Sequence, residues 1–451
     1  MSAAPAAPAI PADEPHGLKV GPLRMRPGVK TKHVSTLFFV SFFAIASMNA
    51  IGVLQPYLLN VMLKIPQNEQ GALTGNLLTL QEIVGLILLA PVGALSDRFG
   101  RRSLFALGYV FLAIGYCLYP LADGKVELAY FRLFLASGVV CINAMLPSVA
   151  NDYSIDATRA KMIAATFIFN GIGIATIPRL LGSLPSWFVA HGADQISAGR
   201  YAYWCLSAFC VLLALVLLWG LKAGLPVQKE KREPFLTLLL AGVREGRNPR
   251  VALAYLAGLV SRADLGVIST WLTLWLVTEG MKRGMAVEVA LKKATLFYVT
   301  IQIFALPWAP IWGWILDRVD RLKGLAAAMV VAIIGYGSLG FLDDPFGPEM
   351  YVAAAFVAAG EMAANISAVS LIGKEAPDRS RGAVIGLFSL FGALGILMIA
   401  QVGGRLFDNW KPVGPFLFMA AANVVMLVVT LATIAWTRSH APAPAQAPQP
   451  P

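Results

Sequence analysis

Apolar runs of about 20 residues, each closed by a short charged loop, recur twelve times along this chain. At a rise of about 1.5 Å per residue such a run spans the roughly 30 Å hydrocarbon core of a bilayer. Backbone in lipid must satisfy its hydrogen bonds internally, so each run is expected to be a helix. The spans fall near 34–62, 72–95, 103–121, 128–150, 161–183 and 201–221. A second set falls near 251–278, 294–316, 324–342, 349–371, 382–404 and 414–436. Only 14% of the residues are charged, against about 25% in soluble domains, so an ordinary soluble fold is excluded. The predicted fold class is an all-α integral membrane protein. Cys117, Cys141, Cys205 and Cys210 fall in or beside apolar runs without metal-ligand or redox spacing, and read as small packing residues.

A polar phrase divides the twelve runs into two sixes. Gly93-Ala-Leu-Ser-Asp97-Arg98-Phe-Gly100-Arg101-Arg102 follows the second run. Gly313-Trp-Ile-Leu-Asp317-Arg318-Val-Asp-Arg321 follows the eighth, at an offset of 220 residues. Two halves with the same punctuation point to duplication. The organisation predicted is a disordered segment 1–33, a six-helix bundle 34–221, a linker 222–250, a second bundle 251–437 and a disordered tail 438–451. Residues 1–15 and 440–451 are too rich in Ala and Pro to build a core. The first apolar stretch lacks the basic flank of a signal peptide. Within the linker, the amphipathic stretch Phe235–Arg247 is expected to lie on the inner leaflet.

The net charge of +11 does not indicate nucleic acid. With both termini on one side, that side holds 24 Lys and Arg and the other nine. The positive-inside rule then places both termini in the cytoplasm of a bacterial-type inner membrane.

This layout resembles the major facilitator superfamily over about residues 30–438, with Gly93, Asp97, Arg98, Gly100, Arg101 and Arg102 close to its cytoplasmic-loop signature. The second copy, at Gly313, Asp317 and Arg318, has Asp320 in place of the loop glycine. A further family-like phrase, Glu375-Ala-Pro-Asp-Arg379-Ser-Arg381-Gly382, follows the tenth run, and its first-half counterpart is Asp152 with Arg159. The resemblance implies two pseudo-symmetric bundles, spans 1, 4, 7 and 10 around a central cavity, and a gating role for the Asp97 loop. There, ion pairs would break and reform as the halves rock.

Charges at the bilayer centre cost about 2.5–3.5 kcal/mol on the insertion scale, so each one needs a reason. Glu82, Arg262, Asp264 and Glu361 all lie near the middle of their runs. Arg262 and Asp264 are i and i+2, so they cannot face each other. Arg262 is expected to alternate between Glu361 and a substrate anion, with Asn365 one turn beyond Glu361. Asp264 shares a helix face with Trp271 and Trp275. Glu82 is a candidate proton carrier, and the repeat offset pairs it with Gln302. Arg132 matches an arginine of the family signature on span 4, with Gly138 six residues on, and is a candidate for coupling or substrate contact.

These residues point to a secondary transporter that takes up a small organic anion with protons, since guanidinium groups favour carboxylate or phosphate. The alternative is proton-coupled efflux of lipophilic or cationic compounds. A non-transporting receptor of the same fold would call for a large soluble sensing domain, and none is seen. The sequence has no P-loop, no paired-His metal motif and no nucleophile elbow, so no enzyme and no cofactor are expected. The expected partners are substrate, protons and lipid, with one chain as the working unit.

Overall fold

A computed structural model describes residues 17–224 and 235–439. The disorder expected of residues 1–15 and 440–451, and the charged stretch Lys229–Glu233, lie outside the described residues. The spans are α1 (Thr31–Tyr57), α2 (Gln67–Phe99), α3 (Arg101–Leu118), α4 (Lys125–Tyr153), α5 (Arg159–Ala190) and α6 (Gln195–Gly220). After a short amphipathic helix α7 (Phe235–Glu245) come α8 (Pro249–Lys282), α9 (Val287–Leu316), α10 (Arg321–Ser338), α11 (Glu349–Glu375), α12 (Arg381–Asn409) and α13 (Gly414–Ser439). Twelve of these thirteen helices are long and apolar enough to cross a membrane. Proline is tolerated inside them where other groups re-satisfy the backbone. Beyond Pro56, α1 widens into a π-turn over Leu58–Met62, and Asn60 Nδ2 donates to the Pro56 carbonyl at 2.8 Å.

The helices gather into two compact units. The first holds the described residues up to Lys64 and those from Leu80 to Gly224. The second holds Ile65–Thr79 and the described residues from Phe235 on. The opening turns of α2 therefore pack with the second unit, although the sequence reading placed all of α2 in a bundle 34–221. Within the first unit, α1 packs on α5 and α6, and α3 on α4 and α6. Within the second, α8 packs on α12 and α13, and α10 on α11 and α13. The two patterns match, as duplication requires.

Without a hydrophobic driving force between helices in lipid, small residues must let backbones approach. Both units use the same device. A Cβ on Gly173 of α5 would lie 1.6 Å from the Phe42 carbonyl oxygen of α1. A Cβ on Gly395 of α12 would lie 1.9 Å from the Leu259 carbonyl oxygen of α8. Neither position can hold a side chain without parting the helices.

One expectation fails. Residues 17–30, assigned to a disordered segment 1–33, form a strap with a two-residue hairpin, β1 (Lys19–Val20) paired with β2 (Leu23–Arg24). The strap is ordered because its polar backbone finds partners on the first unit. Arg26 N donates to Tyr153 O at 2.9 Å, Ile155 N donates to Arg24 O at 3.2 Å, and Thr158 Oγ1 donates to Arg24 O at 2.9 Å. Leu23, Met25 and Val29 are buried. Tyr153 is tied a second time, its hydroxyl accepting from Lys222 N at 2.9 Å. In the second unit, α7 lies on α12, where Ser380 Oγ donates to Glu245 at 3.0 Å and Leu240 and Val243 stay exposed.

Candidate functional site

The second unit buries two carboxyl groups. Asp264 on α8 is 0% exposed and Glu361 on α11 is 3% exposed. Asn423 on α13 donates through Nδ2 to Asp264 Oδ1 at 3.1 Å and Oδ2 at 3.4 Å, and to its own helix at Met419 O, 2.9 Å away. Tyr336 on α10 donates to the Asp264 carbonyl at 3.2 Å. Glu361 Oε2 and Asn423 Oδ1 are buried with no hydrogen-bond partner. Asp264 and Glu361 stand on helices that pack against each other, α8 and α11. Neither forms an ion pair with Lys or Arg among the described residues. Such an arrangement is costly in low dielectric unless protons or a cation offset the charge.

Arg262 behaves as its i, i+2 spacing to Asp264 demands. Asp264 turns into the unit, whereas Arg262 turns out and is exposed. Its Cγ lies against Gly392 of α12, where an added Cβ would approach to 2.8 Å. Among the described residues its guanidinium makes no ion pair or hydrogen bond, so the expected Arg262–Glu361 pair is not formed in this structure. Trp271 does share the buried face of Asp264, but as a packing residue. It is 0% exposed, tilted on Phe407 at 5.8 Å between centroids, with Nε1 unpartnered. Trp275 packs likewise on Phe416 at 5.4 Å. Asn365, one turn beyond Glu361, is half-buried, as are Glu82 and Gln302.

The first unit buries a cation instead. Arg132 on α4 is only 5% exposed. Its NH1 group donates to Gln55 Oε1 of α1 at 3.3 Å, and the Tyr119 hydroxyl donates to the same oxygen at 3.3 Å. Tyr116 and Tyr203 enclose this cluster, with ring centroids 6.4 Å apart, and both are fully buried. Among the described residues no carboxylate pairs with Arg132, and its Nε has no hydrogen-bond partner.

The repeated loop keeps its chemistry in both halves. Gly100 at φ +86° opens α3, a backbone region that favours glycine. Arg101 then reaches Asp97 at 3.1 Å, Asp152 at the end of α4 at 3.2 Å, and the Ser96 hydroxyl. Ser96 in turn donates to the Gly93 carbonyl at 2.7 Å. Arg98 lies over Phe99 at 5.5 Å, and Arg102 is half-buried. In the second copy Arg321 meets Asp317 at 3.6 Å, the same i, i+4 pair 220 residues on. Arg318 stacks on Trp314 at 3.9 Å and Gly313 is half-buried. Glu375 pairs with Arg250 at the start of α8 at 3.3 Å.

Asn423 and Tyr336 escaped the sequence reading. Asn423 was visible as one amide inside the apolar run 414–436. Tyr336 carried no signal, because tyrosine is common in such runs.

The profile of the Major Facilitator Superfamily matches residues 37–400 and 294–451. The chain is 28% identical over 413 residues to the magnetosome protein MamH of Paramagnetospirillum magneticum, covering 89% of this chain and 93% of that protein. It is 26% identical over 395 residues to the magnetosome protein MamZ of the same organism, covering 84% of this chain and 60% of that longer protein. Its fold is similar to that of the nucleoside transporter NupG. That match has a TM-score of 0.73 at 16% identity, over 90% of this chain and 99% of the other.

Proposed function

The chain belongs to the major facilitator superfamily, and from that premise we propose a proton-coupled transporter that takes up a small organic anion by alternating access. It is an integral membrane transporter and not an enzyme. Arg262 carries the anion reading. It is an exposed guanidinium within a membrane-crossing helix, without an ion pair among the described residues, and suited to bidentate contact with carboxylate or phosphate.

Proton coupling draws on Asp264 and Glu361, acids without Lys or Arg partners in the second unit, and on Glu82 of α2. The Asp97 loop gates, with Arg101 exchanging partners as the transporter changes state. Both termini lie in the cytoplasm of a bacterial-type inner membrane, and one chain is the working unit.

One observation favours a second reading, the export of cationic or lipophilic compounds: among the described residues the second unit buries Asp264 and Glu361 and no Lys or Arg. A flux screen in proteoliposomes separates the two. Uptake of a carboxylate or phosphate compound that grows with an inward proton gradient supports the first. Efflux of a lipophilic cation with no anion flux supports the second.

A further inference from the structure

The opening turns of α2 lie along the closing turns of α12, inside the second unit. Their backbones touch. A Cβ on Gly75 would fall 2.0 Å from the Ala400 carbonyl oxygen, and one on Gly404 would fall 2.7 Å from the Gly71 carbonyl oxygen. Gly71-x-x-x-Gly75 thus meets Ala400-x-x-x-Gly404, small residues at helical spacing on both sides. Side chains close the seam at its two ends. Gln401 Nε2 donates to Thr79 Oγ1 at 2.7 Å and to Asn76 Oδ1 at 3.2 Å. At the other end Asp408 accepts from Gly71 N through Oδ1 at 2.7 Å and from Ala72 N through Oδ2 at 2.6 Å.

The Asp408 contact differs from ordinary helix packing in lipid. One carboxylate takes two consecutive main-chain amides in the second turn of α2, which begins at Gln67. Both bonds are charge-assisted and short. Their donors are backbone groups, so no side-chain variation on α2 can replace them. The seam also coincides with a division in α2: up to Thr79 the helix belongs to the second unit, and from Leu80 to the first.

We infer that Asp408 is a latch on the α2–α12 seam, at the membrane face opposite the two termini, and that the seam parts when that face opens. The inference rests on the alternating-access reading. The glycines bring the two backbones into contact, and Asp408 sets how readily the seam opens. Its carboxylate lets go without any covalent change, as a repeatedly opening contact requires.

The test needs no substrate, so its failure is distinct from failure of the transport reading. In a background with all four cysteines replaced, Gln401→Cys is labelled with a membrane-impermeant maleimide in right-side-out and inside-out vesicles. The latch predicts slow labelling in the parent and a rate raised at least about tenfold by Asp408→Asn, which loses one acceptor and the charge. Gly75→Leu, which wedges the seam, raises it similarly, and Asp408→Glu stays nearer the parent. Oxidation of an Asn76→Cys/Gln401→Cys pair follows the opposite order, fast in the parent and slow with Asp408→Asn. Should Gly75→Leu fail to fold, Asp408→Asn decides alone. Unchanged labelling and unchanged disulfide formation in a folded Asp408→Asn protein overturn the latch, whatever flux is found.

Discussion

Asn423→Ala isolates the polar contact at the heart of the second unit. It removes the amide donor that lies 3.1 Å from Asp264 and leaves Tyr336 as the neighbour still bonded to that fully buried residue. Interhelical polar contacts in membrane proteins average about 0.6 kcal/mol in double-mutant cycles and reach about 1.7. Hydrogen bonds to charged groups are worth about 1.5–3 kcal/mol. This contact has a carboxyl acceptor, no exposure and no competing Lys or Arg, so it belongs at the upper end of the membrane range. We expect a coupling of about 1–2 kcal/mol between Asn423→Ala and Asp264→Ala.

Equilibrium unfolding of the four proteins in bicelles, with tethered steric traps, measures it. Asn423→Ala should cost more in the presence of Asp264 than in its absence, because only then is a buried acid left without its donor. The neighbouring Val424→Ala is exposed to lipid and should change stability by less than about 0.5 kcal/mol. A coupling below about 0.3 kcal/mol would refute the claim that Asn423 holds Asp264.

Other outcomes follow from the packing and the loops. Gly395→Leu should lower the thermal midpoint through overpacking of about 1–3 kcal/mol or more against Leu259. Gly386→Ala on the same helix meets nothing within 4 Å and should be neutral or slightly stabilising, so equal effects would contradict the close-approach argument. Arg101→Ala should speed amide exchange over residues 100–104 more than Arg321→Ala does over 320–324, because Arg101 holds two carboxylates and Arg321 one. Each of these half-exposed pairs is worth at most about 1 kcal/mol, so the global midpoint should barely move. At the start of α6, hydrogen bonds from Ser197 hold the Asp194 carboxyl below its ordinary range. A lowered folded value means its capping contribution is complete at neutral pH and is lost as the pH falls through the carboxylate range. Exchange at the Ser197 amide should therefore rise on acidification, corrected for intrinsic rates, and Asp194→Ala should abolish that dependence.

The fold could be read in the chain because a membrane leaves few choices. Twelve apolar runs could only be helices, and the 220-residue echo of Gly93–Arg102 announced the duplication that the packing repeats. The i, i+2 spacing of Arg262 and Asp264 correctly set their side chains on different faces. Partner choice was less legible. Asp264 was assigned aromatic neighbours from its helix face, but which helix supplies its hydrogen bond depends on how four helices rotate about one another. The strap at 17–30 was missed because its order comes from main-chain bonds to Tyr153 and Ile155, more than 120 residues away, to which composition is blind. Asp408 was missed too, since an acid at a span end looks like any interfacial charge until its two amide donors are seen.

The central claim is that an exposed arginine in α8 receives an anion driven by protons. Proteoliposomes holding wild type or Arg262→Ala, given a panel of labelled carboxylates and phosphates in the outer medium under imposed pH gradients, test it most directly. Uptake of at least one anion should rise with an inward proton gradient and fall at least about tenfold in Arg262→Ala, the loss of one charge-assisted contact. Anion uptake that ignores the gradient, or that survives Arg262→Ala unchanged, would contradict it.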